Sequence, residues 1–121
     1  MRVVRASTIH ETTAVDAPPG SPPFLNMVVI GYTTLAPSEL LAQLHTIEHR
    51  LGRIRRGVRN EPRTIDLDLI LHSAHRVHTR TLTLPHPRAH QREFVMKPLG
   101  EISAGLCAAT AASAVAFARG G

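Results

Sequence analysis

The sequence predicts a single α+β domain. Three observations carry this. Stretches with a side-chain period of two occur at 3–12, 24–34 and 65–71, and one stretch with helical spacing, 37–51, lies between the second and third. The order strand, strand, helix, strand is that of a small mixed layer. At 121 residues the chain is long enough for one modest core.

VVRASTIHET (3–12) alternates loosely and reads as a strand. APPGSPP (17–23) is a proline-glycine loop, and FLNMVVIGYTT (24–34) a second strand, so 3–34 form a hairpin with a long connection. In PSELLAQLHTIEHRL (37–51) the residues Leu40, Leu41, Leu44, Ile47 and Leu51 share one helical face. Pro37 suits the first turn, and Gly52 stands where a C-terminal cap belongs. RIRRGVRNEPR (53–63) is a basic loop, HSAHRVHTRTL (72–82) is polar and turn-like, and 84–102 begins as a proline loop and ends in a short helix. The tail from 104 to 121 is alanine-rich and is expected to be helical or without fixed structure. This sheet needs one more strand to look complete.

Composition narrows the partners. Lys+Arg is 14 against Asp+Glu 9, a net charge of +5, and all but Lys97 are arginine. Arginine suits bidentate binding of phosphate or carboxylate, so an anionic partner is indicated, although a GC-rich genome also favours arginine codons. The single cysteine, Cys107, excludes an internal disulfide and fits a reducing, cytoplasmic setting. The opening MRVVRASTIH has no continuous apolar run of the signal-peptide kind, and the tail is short and polar for a membrane span.

The chemistry centres on PRTIDLDLIL (62–71). Asp66, Asp68 and Ile70 share one face of the strand; Ile65, Leu67, Leu69 and Leu71 share the other. Two readings stand. One is a half-buried strand with a solvated outer face, its aspartates paired with nearby arginines. The other is a metal site, because carboxylates one pleat apart, about 6.5–7 Å between Cα atoms, converge on hard cations that also take phosphate oxygens. Arg53, Arg55, Arg56, Arg59 and Arg63 precede the pair, and His86, Arg88, His90 and Arg92 follow it. Carboxylates for Mg2+ with arginines for phosphate are the parts of phosphoryl transfer, so the combination favours a phosphate-handling site. No GxxxxGK[ST] loop is present. The eight histidines lack a partner set for zinc, with one cysteine and no HExxH. A nucleic-acid module using the arginine loop is disfavoured by the 3% aromatic content.

IEHRLGRIRRGVRNEPRTIDLDLIL (47–71) and LTLPHPRAHQREFVMKPLGEI (82–102) resemble the signature of the 6-hydroxymethyl-7,8-dihydropterin pyrophosphokinase family of folate biosynthesis. STIHET (7–12), PPFLN (22–26) and TLAPSELL (34–41) match its pattern in order, so the resemblance covers 4–103. It implies a ferredoxin-like antiparallel sheet with helices on one face, over a domain at 1–103. It implies transfer of pyrophosphate from ATP to the pterin's hydroxymethyl group, with AMP released, in a monomer handling only small molecules. Asp66 and Asp68 then match the ligands of two Mg2+ ions. Arg53 and Arg63 match phosphate-contacting loop arginines that act in catalysis. Glu48, Arg55, His86 and Arg92 match the ATP side. Thr12, Val15, Phe24, Asn26 and Phe94 match the pterin pocket, with the two phenylalanines sandwiching a flat ring and Asn26 reading its edge. The phenylalanines would otherwise be read as core residues. His10 stands where the family usually has tyrosine, Thr13-Ala14 departs from its proline preference, and Asn60 stands where some members have an aromatic. The family opens with a strand and helix carrying an aLGSNLGd-type motif, and that βα unit is missing ahead of residue 1. The expectation is a start at an internal methionine; the alternative is a truncated remnant that binds nucleotide or pterin without turnover.

Overall fold

The computed structural model describes residues 1–12, 20, 23–53, 65–73, 75–103 and 112–119. Its elements are β1 (Arg2–Ala6), β2 (His10–Thr12), β3 (Phe24–Tyr32), α1 (Pro37–Arg53), β4 (Ile65–His72), β5 (Val77–His78), β6 (Thr83–Leu84), α2 (Glu93–Ile102) and β7 (Ala112–Arg119), with a 3-10 turn at Ala89–Gln91. The α+β class is as the sequence predicts, but the single strand expected at 3–12 is divided into β1 and β2, so three strands rather than two precede α1. Five strands form one antiparallel sheet in the order β1-β3-β7-β4, and β2 extends the β1 edge by pairing with the start of β3. The short β5–β6 hairpin falls in the stretch expected to be turn-like.

Local chemistry explains the elements. At the start of α1, Leu40 N–H donates to Ala36 O, and Glu39 reaches back so that its Oε1 accepts from Ala36 N–H at 2.9 Å. That is the glutamate half of a capping box. β1 comes so close to β3 that a Cβ on Gly31 would stand 2.5 Å from Arg2 O, which only glycine permits.

The tail is where expectation and structure part. Residues 112–119 form neither a helix nor a shapeless end; they are β7, between β3 and β4. Alanine's helix propensity is overridden because β3 and β4 each leave a row of unpaired backbone groups that β7 satisfies along almost its whole length. A strand with neighbours on both sides and cover on both faces has room for small side chains, and Ala112, Ala114, Val115 and Ala116 are all buried.

The helices also depart from the expected one-face arrangement. Val28, Ile30, Ile70, Ala112, Ala114 and Ala116 pack with Ala89 and Val95 on the α2 side. Val29, Leu67, Leu69 and Val115 pack with Leu40, Leu44, Leu82 and Leu84 on the α1 side. The cause is the apolar character of both faces of β7 and β3, which requires cover on each side of the sheet. A bulge between Leu69 and Leu71 lets Ile70 and Leu71 both meet the α2 side. On α1 the predicted stripe is buried only at its start: Leu40 is 1% exposed, whereas Ile47 is 43% and Leu51 41% exposed. Among the described residues no helix is long and apolar enough to cross a membrane.

Candidate functional site

β4 is the open edge of the sheet, and its edge-facing groups are satisfied from outside. Leu67 N–H donates to Glu48 Oε2 of α1 at 2.7 Å. Ile70 O accepts from His86 N–H, also at 2.7 Å, just after the cis Leu84–Pro85 peptide. Glu48 and His86 are therefore held against the strand that carries Asp66 and Asp68.

The two aspartates lie on the face opposite Leu67 and Leu69, as the period of two requires. Asp66 is exposed and Asp68 half-buried. Burial first, then the charge of Asp68, pushes the Asp66 carboxyl above its ordinary value. Among the described residues neither aspartate has an ion-pair partner, so the salt-bridged reading of the pair finds no support there. Nor do three or more His, Cys, Asp or Glu gather there as a metal cage. A carboxylate pair is nonetheless what Mg2+ takes when substrate phosphates and water complete its shell, and a cation would relieve the repulsion that raises Asp66. The pair fits the ion.

A cleft of about 320 Å3 runs beside β4, lined by Glu48, Asp68 and His86 together with His45, Arg80 and Thr83. Burial lowers the proton affinity of His86; Arg92 and Arg88 lower it further, against the opposing pull of Asp68. The balance favours the neutral imidazole. Arg92 caps α2 and places its guanidinium 5.6 Å from the centre of the Phe94 ring.

Asn26 lies across the sheet from the aspartates. It is 4% exposed, and its Nδ2 donates to Thr12 Oγ1 at 2.9 Å. Phe24 and Phe94 are 39% and 37% exposed, so neither is the core phenylalanine that a bare sequence favours. The structure thus gathers Glu48, Asp68 and His86 in one cleft and sets Thr12, Phe24, Asn26 and Phe94 outside it. Arg53 ends α1. Val15, Arg55 and Arg63 lie outside the described residues, as does the side chain of Arg53.

Sequence reasoning missed three contributors. His45 precedes Glu48 by three residues on α1, a spacing that puts both on one helical face and could have marked it. Arg80 and Thr83 come from the hairpin read as a plain turn. The third is a cluster in which Glu101 of α2 accepts from Thr8 N–H at 3.0 Å, Thr8 Oγ1 at 2.9 Å, and the His10 ring. It ties α2 to the β1–β2 segment. Among the other histidines, His72 is buried and donates through Nε2 to Leu35 O, a structural role.

Residues 1–104 match the family model for 7,8-dihydro-6-hydroxymethylpterin-pyrophosphokinase (HPPK). The chain belongs to this family. It is 45% identical over 100 residues to the 2-amino-4-hydroxy-6-hydroxymethyldihydropteridine pyrophosphokinase of Bacillus subtilis, covering 83% of this chain and 59% of that protein. Similarity to the enzyme of the same name from Haemophilus influenzae is 40% over 104 residues, covering 86% of this chain and 64% of the relative. A mitochondrial folate synthesis bifunctional protein of Arabidopsis thaliana is 41% identical over 100 residues, covering 83% of this chain and 18% of that protein. The chain thus spans less than two thirds of the length of these pyrophosphokinase relatives. All the candidate site residues fall within the HPPK match, whereas β7 lies beyond it.

Proposed function

We propose that the chain carries the HPPK reaction: transfer of pyrophosphate from ATP to the hydroxymethyl group of 6-hydroxymethyl-7,8-dihydropterin in folate biosynthesis. The hydroxymethyl oxygen attacks the β-phosphorus of ATP. The bond from that phosphorus to the oxygen bridging to the α-phosphorus breaks, AMP leaves with that oxygen, and the hydroxyl proton passes to solvent. The observation that carries this reading is the Asp66–Asp68 pair, without ion-pair partners among the described residues, beside a cleft that also holds Glu48 and His86.

Asp66 and Asp68 would hold Mg2+, two ions on the family pattern, which when bound neutralises phosphate charge and orients the triphosphate. His86 offers the phosphates a hydrogen bond from its ring N–H. Arg92, with Arg53, Arg55 and Arg63, supplies the cationic partners, Arg53 and Arg63 acting on the transferred group. Glu48 serves the ATP side by fixing β4 through Leu67 N–H. Phe24 and Phe94 offer exposed rings for a flat heterocycle, and Asn26, oriented by Thr12, reads its edge, with Val15 at the pocket wall. We read the sheet as ferredoxin-like in its antiparallel strands, though not in the placement of its helices, and the working unit as a monomer in the cytoplasm.

Product analysis tests this. The purified chain, ATP, Mg2+ and the pterin should yield AMP, and Asp66→Ala and Asp68→Ala should not, while both variants keep the parent's unfolding transition. A folded parent that makes no AMP overturns the proposal and leaves a binding-only remnant. Wild-type rates in either variant overturn the metal assignment.

A further inference from the structure

The middle of the sheet is built by a segment that the HPPK match does not reach. Among the described residues β4 joins the sheet through β7 alone, so β7 sets how far the aspartates stand from β3. The register is explicit. Asn26 pairs with Ala118, which pairs with Asp66; Val28 pairs with Ala116, which pairs with Asp68. Asn26 and Asp66 are therefore two strand spacings apart, about 9.5 Å between backbones, with only the methyl of Ala118 between their side chains. Both sit on the α2 face.

That face is not covered evenly. Ala112, Ala114 and Ala116 are buried in the α2-side core, with exposures of 6%, 1% and 7%. Ala118 is only half-buried, and Asp66 and Phe24 at the same end are exposed. So α2 leaves the sheet open at Ala118 and Asp66, while Asn26 in the same row is buried, at 4% exposure. This row has a buried carboxamide on one side and, on the other, a carboxylate without an ion-pair partner among the described residues.

We infer that β7 is a working part of the site: Ala118, with Ala116 behind it, is the floor across which the substrate lies between Asn26 and the paired aspartates. The inference rests on the function proposed above and assigns a steric role to a residue outside the HPPK match. A ligand read at its edge by Asn26 and reacting beside Asp66 must cross Ala118. A methyl leaves the trough open. A leucine adds three carbons into it without changing charge or hydrogen bonding.

The test uses the full chain and kinetics with both substrates. Ala118→Leu should lower kcat/KM for the pterin at least tenfold, raise the pterin Kd measured by calorimetry, and leave the urea midpoint unchanged. Phe117→Leu perturbs the same strand from the opposite face, where Phe117 packs on the α1-side core, and should leave the pterin KM unchanged. Ala118→Val, which strands favour, replaces the leucine variant should that one unfold. Parent-like kcat/KM in a folded Ala118→Leu overturns the inference and leaves the HPPK reading intact. An equal loss in Phe117→Leu overturns it too, because the effect would then be structural. A folded parent that neither makes AMP nor binds the pterin refutes the function and this inference together.

Discussion

Removing the Glu48 carboxylate should loosen the strand that carries the aspartates. Glu48 Oε2 accepts from Leu67 N–H at 2.7 Å, and Leu67 stands between Asp66 and Asp68 on a strand that, among the described residues, has no further strand beyond it. A hydrogen bond to a charged acceptor contributes about 1.5–3 kcal/mol. Water reaches this partly buried group in the variant, so Glu48→Ala should cost about 1.5–2 kcal/mol, at the lower end of that range. For a chain of this size the loss corresponds to roughly 6–10 °C in Tm. Glu48→Gln keeps a neutral acceptor and should lose about half as much. Urea unfolding gives the stabilities, and AMP formation gives the functional consequence: kcat should fall further in the alanine variant than in the glutamine one, since only the latter keeps β4 tied to α1. A Glu48→Ala chain within about 0.5 kcal/mol of the parent, the usual scatter of surface substitutions, would refute the claim that this bond fixes the strand.

Three other expectations follow from the same geometry. Charging Asp66 costs folding free energy above its raised titration point, because burial and Asp68 both oppose it; Asp66→Asn should therefore raise Tm without Mg2+ while abolishing AMP formation, and a lowered Tm would contradict this. Phe24 is 39% exposed, so Phe24→Ala should leave the urea midpoint nearly unchanged yet weaken pterin binding about tenfold or more by calorimetry; a large stability loss with intact binding would make it a core residue after all. Hydrogen bonds from Thr8 and His10 hold the Glu101 carboxyl below its ordinary value. Its stabilising effect is thus complete above the unfolded carboxyl's titration and lost as pH falls through the lower, folded one. Glu101→Gln should be less stable than the parent at about pH 7, the gap should close as pH falls through the folded carboxyl's titration, and a gap independent of pH would exclude the carboxylate as the cause.

Much of the fold was legible because its signals are local. The α1 start is written in Ala36-Pro37-Ser38-Glu39, where the proline and the back-reaching glutamate specify a helix N-terminus. β4 follows from the alternation of Ile65, Leu67 and Leu69 with the aspartates. What stayed hidden depends on non-local pairing. ASAVAFAR has a composition that favours a helix, and only the two open strand edges of β3 and β4 make it a strand. The placement of the helices on opposite faces has the same origin, since it depends on β7 being apolar on both sides. At the site, the residue types were legible from motif spacing. The coupling of Glu48 to Leu67 and of Glu101 to Thr8 and His10 was not, because each joins residues that no periodicity relates.

The paired aspartates themselves now have a physical account. A strand tolerates Asp66 and Asp68 because its other face, through Leu67 and Leu69, is buried against α1 and the β6 segment. That burial fixes the register, and the register forces both carboxylates onto the α2 face. There the neighbouring strand presents Ala116 and Ala118, which do not pair with the charges. The like-charge repulsion is therefore left standing, and it adds to burial, the larger cause, in raising the Asp66 carboxyl. Stability alone gives no reason to keep such an arrangement, since an asparagine at either position would remove the repulsion. A site that must gather cations beside phosphates gives one: the repulsion between the carboxylates is relieved only when the cation binds, so it adds to the site's preference for the occupied state.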